Sequence, residues 1–271
     1  MIQILLFILT FLSTFMVGEV MSEHSGLVYA VPLMSILAFH EGAHYFMCRV
    51  HDVKSTPPNF IPAPFPPFGT FGAVIMMKDN LPNRRAVFDI GIAGPLAGFV
   101  IAVPCVVSGL YLSDVVPAAE LAENTDRYIQ LGEPLLFKIL SQAMYGSLKG
   151  KELMLHPLGY AGWIGLLITA LNLLPAGQLD GGHIAYAVFG RRIKWFFWPL
   201  VAGLLGMSLY FWSFAYLLFL GLLTLIARKH PPPSDDATQL DPYRKALAVI
   251  PLLVLVLCFT PVPIRIAAGG G

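Results

Sequence analysis

The chain has 271 residues, 56% hydrophobic and 12% charged, against about 25% charged residues in an average soluble domain. That is too little charge to coat a single globular core, and so apolar a chain is not a disordered one. The balance of 17 Lys+Arg against 16 Asp+Glu, net +1, and the lack of any basic patch speak against a nucleic-acid partner, which leaves an integral membrane protein.

A helix needs roughly 17 to 25 apolar residues to cross a bilayer. The first such run, Ile2 to Val17, has neither a basic n-region nor a small-residue cleavage site, so it reads as a retained transmembrane helix rather than a signal peptide. The second runs from Leu27 to Val50 and carries a His-Glu pair. Between spans, Pro57 to Phe68 holds six prolines in twelve residues, which excludes helix and central strand. Gly69 to Met77 then reads as an apolar strand or hairpin on the cytoplasmic side. It can enter the membrane only where protein or water satisfies its backbone. The third span is Ala86 to Leu112, with Gly91, Gly94 and Gly98 at spacings that suit close helix packing. Ser113 to Glu152 is the longest polar loop. The fourth span starts near Leu155, passes Leu174 and is interrupted before Phe189. Trp195 to Ala227 is too long for one span and reads as a hairpin of two short helices, with Trp195 and Trp198 as interface anchors. Pro231 to Pro242 is a linker, and Ala246 to Val262 is the last span. Cys48, Cys105 and Cys258 lie in or beside apolar runs and read as small buried hydrophobes.

Seven spans with a cytoplasmic N-terminus put twelve of the 17 basic residues on the cytoplasmic side, as the positive-inside rule requires. Treating 195–227 as one helix would put Arg191–Lys194 and Arg228–Lys229 on opposite sides. The same topology leaves only two of the 16 acids inside the membrane, Glu41 and Asp180.

His40-Glu41-Gly42-Ala43-His44 is an HExxH within the second span. Residues four apart share a helix face, so both imidazoles can bind one metal ion. Glu41, about 100° further round the axis, can act as general base on a metal-bound water. Ionisable residues inside a membrane are expensive and functional by default. A catalytic zinc usually has three protein ligands, and Asp180 is the intramembrane candidate for the third. It follows Pro175 and Gly177, which break the fourth helix, and precedes Gly181-Gly182. The plainer role for Asp180 is a helix N-cap. Asn172, about two turns earlier, can bind a peptide carbonyl or satisfy backbone freed by the break. His183 reads as a packing or hydrogen-bonding residue near the site. His24, His51, His156 and His230 read as solvated residues at membrane edges or in loops.

HEGAH in a membrane helix followed by NLLPAGQLDGG resembles the site-2 protease family of intramembrane zinc metalloproteases. The likeness is greatest to plastid and archaeal members with a near-identical NLLP-x-G-x-LDGG stretch and a GTFGA segment, and it covers roughly residues 27–189. The resemblance implies an α-helical polytopic fold of six to seven spans, with a three-helix catalytic core and a small membrane-associated β-loop. By it, His40, His44 and Asp180 are Zn²⁺ ligands, and Glu41 activates the water. Asn172 and the β-loop residues Gly69, Thr70, Phe71, Gly72, Ala73 and Val74 meet the substrate. Gly94-Pro95 matches the family's third-core-helix pair. Neither a PDZ-like domain between core spans nor a CBS-like pair after the last span is expected.

The expected division is a first span in 1–26, a protease core in 27–190 with its β-loop at 57–80 and outer loop at 113–153, and C-terminal spans in 191–271. The expected activity is hydrolysis of a peptide bond in or near a transmembrane segment of another protein. The expected partners are that substrate and the lipid bilayer, with no nucleic acid. The expected location is an archaeal or bacterial-type plasma membrane, the site opening to the cytoplasm. An ion transporter and a non-catalytic zinc scaffold are the alternatives.

Overall fold

The structure, a computed structural model, describes residues 1–118, 127–211, 221 and 231–268. In chain order the elements are helix α1 (Ile2–Met21), α2 (Leu27–Val50), strands β1 (Asn59–Pro62) and β2 (Thr70–Val74), and α3 (Arg84–Tyr111). Strands β3 (Asp114–Pro117) and β4 (Arg127–Leu131), α4 (Leu135–Tyr145) and β5 (Lys151–Met154) follow. Then come α5 (Pro157–Asn172), α6 (Asp180–Phe189), a 3₁₀ turn (Gly190–Ile193), α7 (Lys194–Phe211), α8 (Pro242–Leu247), α9 (Val249–Cys258) and β6 (Ile264–Ala268).

Among the described residues, three helical stretches are long and apolar enough to cross a membrane: α1, α3 and the run Asp180–Phe211 formed by α6, the 3₁₀ turn and α7. Helix α2, at 24 residues, is long enough as well. It is less apolar because His40, Glu41, His44 and Arg49 lie within it. Of the expected helical hairpin in 195–227, residues 195–211 lie in α7, and residues 212–220 and 222–227 lie outside the described residues. The last apolar run is split between α8 and α9. Pro251 has no N–H to continue the helix from Leu247, and Pro261 and Pro263 follow its end.

Helices α2, α3 and α5 form the core, with Leu33, Ile36, Phe88, Val106, Trp163 and Leu166 fully buried among them. Their backbones approach closely where side chains are missing. A Cβ on Gly109 would lie 2.1 Å from the Gly159 backbone, so neither glycine can be replaced without separating α3 from α5.

Strands β1 and β2 pair antiparallel, Phe60 opposite Ala73 and Pro62 opposite Thr70, and their connection is fastened by three hydroxyls. Ser13 of α1 donates to the Gly69 carbonyl and accepts from the Ala63 amide at 3.2 Å. Tyr29 donates to the Phe68 carbonyl at 2.6 Å, and Tyr160 to that of Pro67 at 3.1 Å. Tyr29 and Tyr160 lie in the first turns of α2 and α5. At the other end of the hairpin, the Ile75 amide is within hydrogen-bonding reach of the Glu41 carboxylate. Twelve helical residues from Tyr29 to Glu41 rise about 18 Å, and five extended residues from Gly69 to Val74 rise about 17 Å. The hairpin therefore runs alongside α2 for about 17 Å.

Among the described residues of segment 113–152, β3 pairs with β5, and β4 pairs with β6 near the C-terminus. The linker 231–242 is docked rather than loose. Ser234 and Asp235 donate backbone hydrogen bonds to Leu81 and Pro82 at 2.9 Å, just before Asn83 caps α3 by accepting from the Ala86 amide at 3.0 Å. Asp236 accepts from Arg84 at 3.0 Å and Arg191 at 3.2 Å. Arg244 grips Asp89 through two bonds of 2.7 Å, and His51, capping α2, lies 2.9 Å from the same carboxylate.

Candidate metal centre

Helix α2 presents His40 and His44 one turn apart on its buried face, 3% and 5% exposed, with Glu41 beside them at 6%. After Asn172 the chain leaves helix α5. Gly177 turns it with φ +49°, and α6 begins at Asp180. The DGG sequence packs back on the break, for a Cβ on Gly181 would lie 2.0 Å from the Leu173 carbonyl oxygen and one on Gly182 2.5 Å from that of Gly177. This close approach aims Asp180 at the two histidines. The N-cap of α6 is Leu179, so Asp180 is the first helical residue and not the cap, a position where a carboxylate is favoured by the helix dipole.

Asp180 Oδ2 lies 3.3 Å from His40 Nε2, and Oδ1 lies 3.2 Å from His44 Nε2. The two Nε2 atoms are 3.2 Å apart. Zinc–ligand bonds of 2.0–2.2 Å in tetrahedral geometry place ligand atoms about 3.3 Å from one another, which matches the spacing of the two histidine nitrogens and of each to its nearer Asp180 oxygen. The tautomer fits too. His44 Nδ1 lies 2.7 Å from the Ile90 carbonyl, which accepts only from a protonated Nδ1 and leaves Nε2 with a lone pair for metal. Glu41 Oε1 is 3.9 Å from His40 Nε2, beside the triangle and not in it. Asn172 Nδ2 is 3.3 Å from His40 Nε2, so its amide turns to the site and not to the broken helix.

The glycines of α3 meet the histidines. A Cβ on Gly94 would lie 2.0 Å from His44 Nε2, one on Gly98 3.1 Å from His40 Nδ1, and one on Gly91 2.9 Å from His183 Cβ. The small-residue stripe, read from sequence as helix packing, makes room for imidazole rings. Gly69 to Val74 lie on the hairpin whose Ile75 end reaches Glu41, with Phe71 and Val74 exposed at 68% and 46%. In its two-stranded sheet β2 pairs only with β1. The Ile90 carbonyl and the fastening hydroxyls of Ser13, Tyr29 and Tyr160 were not singled out from sequence.

A profile of peptidase family M50 matches residues 28–197. The chain is 36% identical over 242 residues to a protein of Arabidopsis thaliana named probable zinc metalloprotease EGY1, chloroplastic, covering 88% of this chain and 43% of that one. It is 34% identical to the Oryza sativa subsp. japonica protein of the same name, covering 88% and 41%. Identity to probable zinc metalloprotease EGY2, chloroplastic, of Oryza sativa subsp. indica is 32%, covering 93% and 45%. The chain thus spans less than half the length of these relatives. No solved structure matches it.

Proposed function

The chain belongs to peptidase family M50, and from that premise we propose that it is a zinc-dependent endopeptidase acting inside the membrane on a transmembrane segment of another protein. The observation that carries this reading is the triangle of His40 Nε2, His44 Nε2 and Asp180, with edges of 3.2–3.3 Å, and Glu41 beside it. These three residues would hold zinc, which supplies Lewis acidity and a water of lowered pKa. Glu41 takes the water's proton and returns it to the leaving amine. Asn172 orients the scissile peptide. A helical substrate hides its carbonyls in its own hydrogen bonds, so it must open before cleavage. The edge of β2 from Gly69 to Val74 receives the opened strand by β-addition, in a register set by Ile75 against Glu41. The protease core in this reading is 27–190.

The test is incubation of the purified protein with candidate membrane-span substrates. Wild type should cleave them and stop when zinc is chelated. Glu41→Gln should keep zinc and lose about 10²–10⁴-fold in turnover; cleavage by this variant at the wild-type rate would remove the proposed mechanism. Val74→Asp should keep zinc and raise KM, and an unchanged KM would remove the strand-addition step.

The orientation, with the N-terminus and the site opening on the cytoplasmic side of a plasma membrane, rests on the distribution of basic residues. Eight residues along α2, about 12 Å, take the helix from Glu41 to Arg49 near its end. Ala43→Cys should react with a polar thiol reagent from the cytoplasmic side, and labelling only from outside would reverse the orientation.

A further inference from the structure

Where α6 ends, the chain builds a second polar site that the peptidase chemistry does not use. A cavity of about 450 Å³ is lined by Arg84, Arg191, Arg192 and Lys245, with Asp236 and Gln239. The four cations come from three places: the first turn of α3, the 3₁₀ turn after α6, and α8. Asp236 fixes two of them, accepting from Arg84 and Arg191, and is itself held by the backbone bonds of Ser234 and Asp235 to Leu81 and Pro82. Gly190 permits the crowding. It has φ +61°, and a Cβ there would lie 2.6 Å from the Arg84 guanidinium. Among the lining residues one acid stands against four cations, and with Asp235 also close to Arg84 the cluster keeps an excess of positive charge. Such like charges repel unless an anion sits among them.

The depth of the cavity is marked by its neighbours. Trp195 and Trp198 are 74% and 70% exposed, and exposed tryptophans sit at headgroup level. We propose that this cavity binds a phosphoryl anion at the membrane surface, with Arg192 and Lys245 as its free contacts and Arg84 and Arg191 oriented by Asp236. Guanidinium groups match phosphate oxygens in pairs. The bound group would tie α3, α8 and the end of α6 together, and α6 carries Asp180 at its other end.

Two sources share this chemistry, an anionic phospholipid headgroup and a soluble phosphate. Full-length protein in detergent, titrated with phosphatidylglycerol or phosphatidylcholine and followed by native mass spectrometry, should retain phosphatidylglycerol preferentially. Arg192→Gln and Lys245→Gln should each weaken that retention about fivefold, and together about 30-fold. Both residues are exposed, and thermal unfolding in phosphatidylcholine should be unchanged. Lys54→Gln with Lys78→Gln, also exposed, should have no effect on retention. Displacement of the lipid by inorganic pyrophosphate would assign the site to soluble phosphoryl anions; resistance would assign it to the headgroup. Equal loss in the two double variants, or phosphatidylcholine held as tightly as phosphatidylglycerol, would overturn the proposal.

Discussion

Two groups of ionisable residues hold this molecule together, and they balance charge in opposite ways. At the membrane-surface end, Asp89 has Arg244 and His51, and Asp236 has Arg84 and Arg191. Each acid is matched by cations from the protein itself. In the interior, Glu41 and Asp180 face His40 and His44, and among the described residues neither acid has a Lys or Arg ion-pair partner. In the first arrangement the acids are met within the folded chain, and the charge left over is positive. The second brings one carboxylate and two imidazoles together as a donor set for a cation, with the Glu41 carboxylate beside them.

The largest effect that would sharpen this contrast is expected from a single methyl group. Gly94→Ala places a carbon 2.0 Å from the metal-facing nitrogen of His44, so the imidazole must leave its position. Zinc content measured by atomic absorption should fall to background, with a loss of about 1–3 kcal/mol in stability from overpacking. Full zinc occupancy in that variant would break the argument that α3 shapes the site. Arg244→Ala acts on the other group. It strips Asp89 of two charge-assisted bonds, worth about 1.5–3 kcal/mol for such partners, yet zinc should stay bound. Loss of zinc in Arg244→Ala at a temperature where the protein is folded would show that the two groups are not independent.

The smallest effect is a pH dependence. Burial works to raise the Asp236 carboxyl, but hydrogen bonds from Arg84, Tyr186 and Arg191 outweigh it and hold the group below the ordinary carboxylate range. A depressed folded value adds stability above the unfolded value of about 3.9 and loses it as pH falls through the folded value. Asp236→Asn should therefore unfold more readily than wild type near pH 7 and match it at the acid end. A difference that persists with equal size below about pH 3 would contradict the sign.

The interior group was the more legible of the two in the sequence. HEGAH fixes its two histidines on one face by spacing alone, and Asp180 emerges once acids are sorted by depth. Its surroundings were less so. Gly94 and Gly98 announce that something comes close, but small residues carry no information about what, and helix packing is the ordinary partner. The surface group left no trace. Arg244 and Asp89 are 155 residues apart, and no local pattern encodes such a meeting, so 231–242 read as a linker. The hairpin's fastening was hidden for a related reason. Ser13, Tyr29 and Tyr160 lie in three separate helices, and only the fold brings their hydroxyls together.

The prolines of that hairpin bear on how irregular backbone survives at depth. In hydrocarbon every unmet N–H costs several kcal/mol, and six of the twelve residues from Pro57 to Phe68 have no N–H at all. Half the donors have been deleted from the covalent chain before folding begins. The acceptors cannot be deleted, and three in succession, the carbonyls of Pro67, Phe68 and Gly69, are each met by a hydroxyl from a different helix. A segment that looks like a soluble loop in composition is thereby made fit for oil.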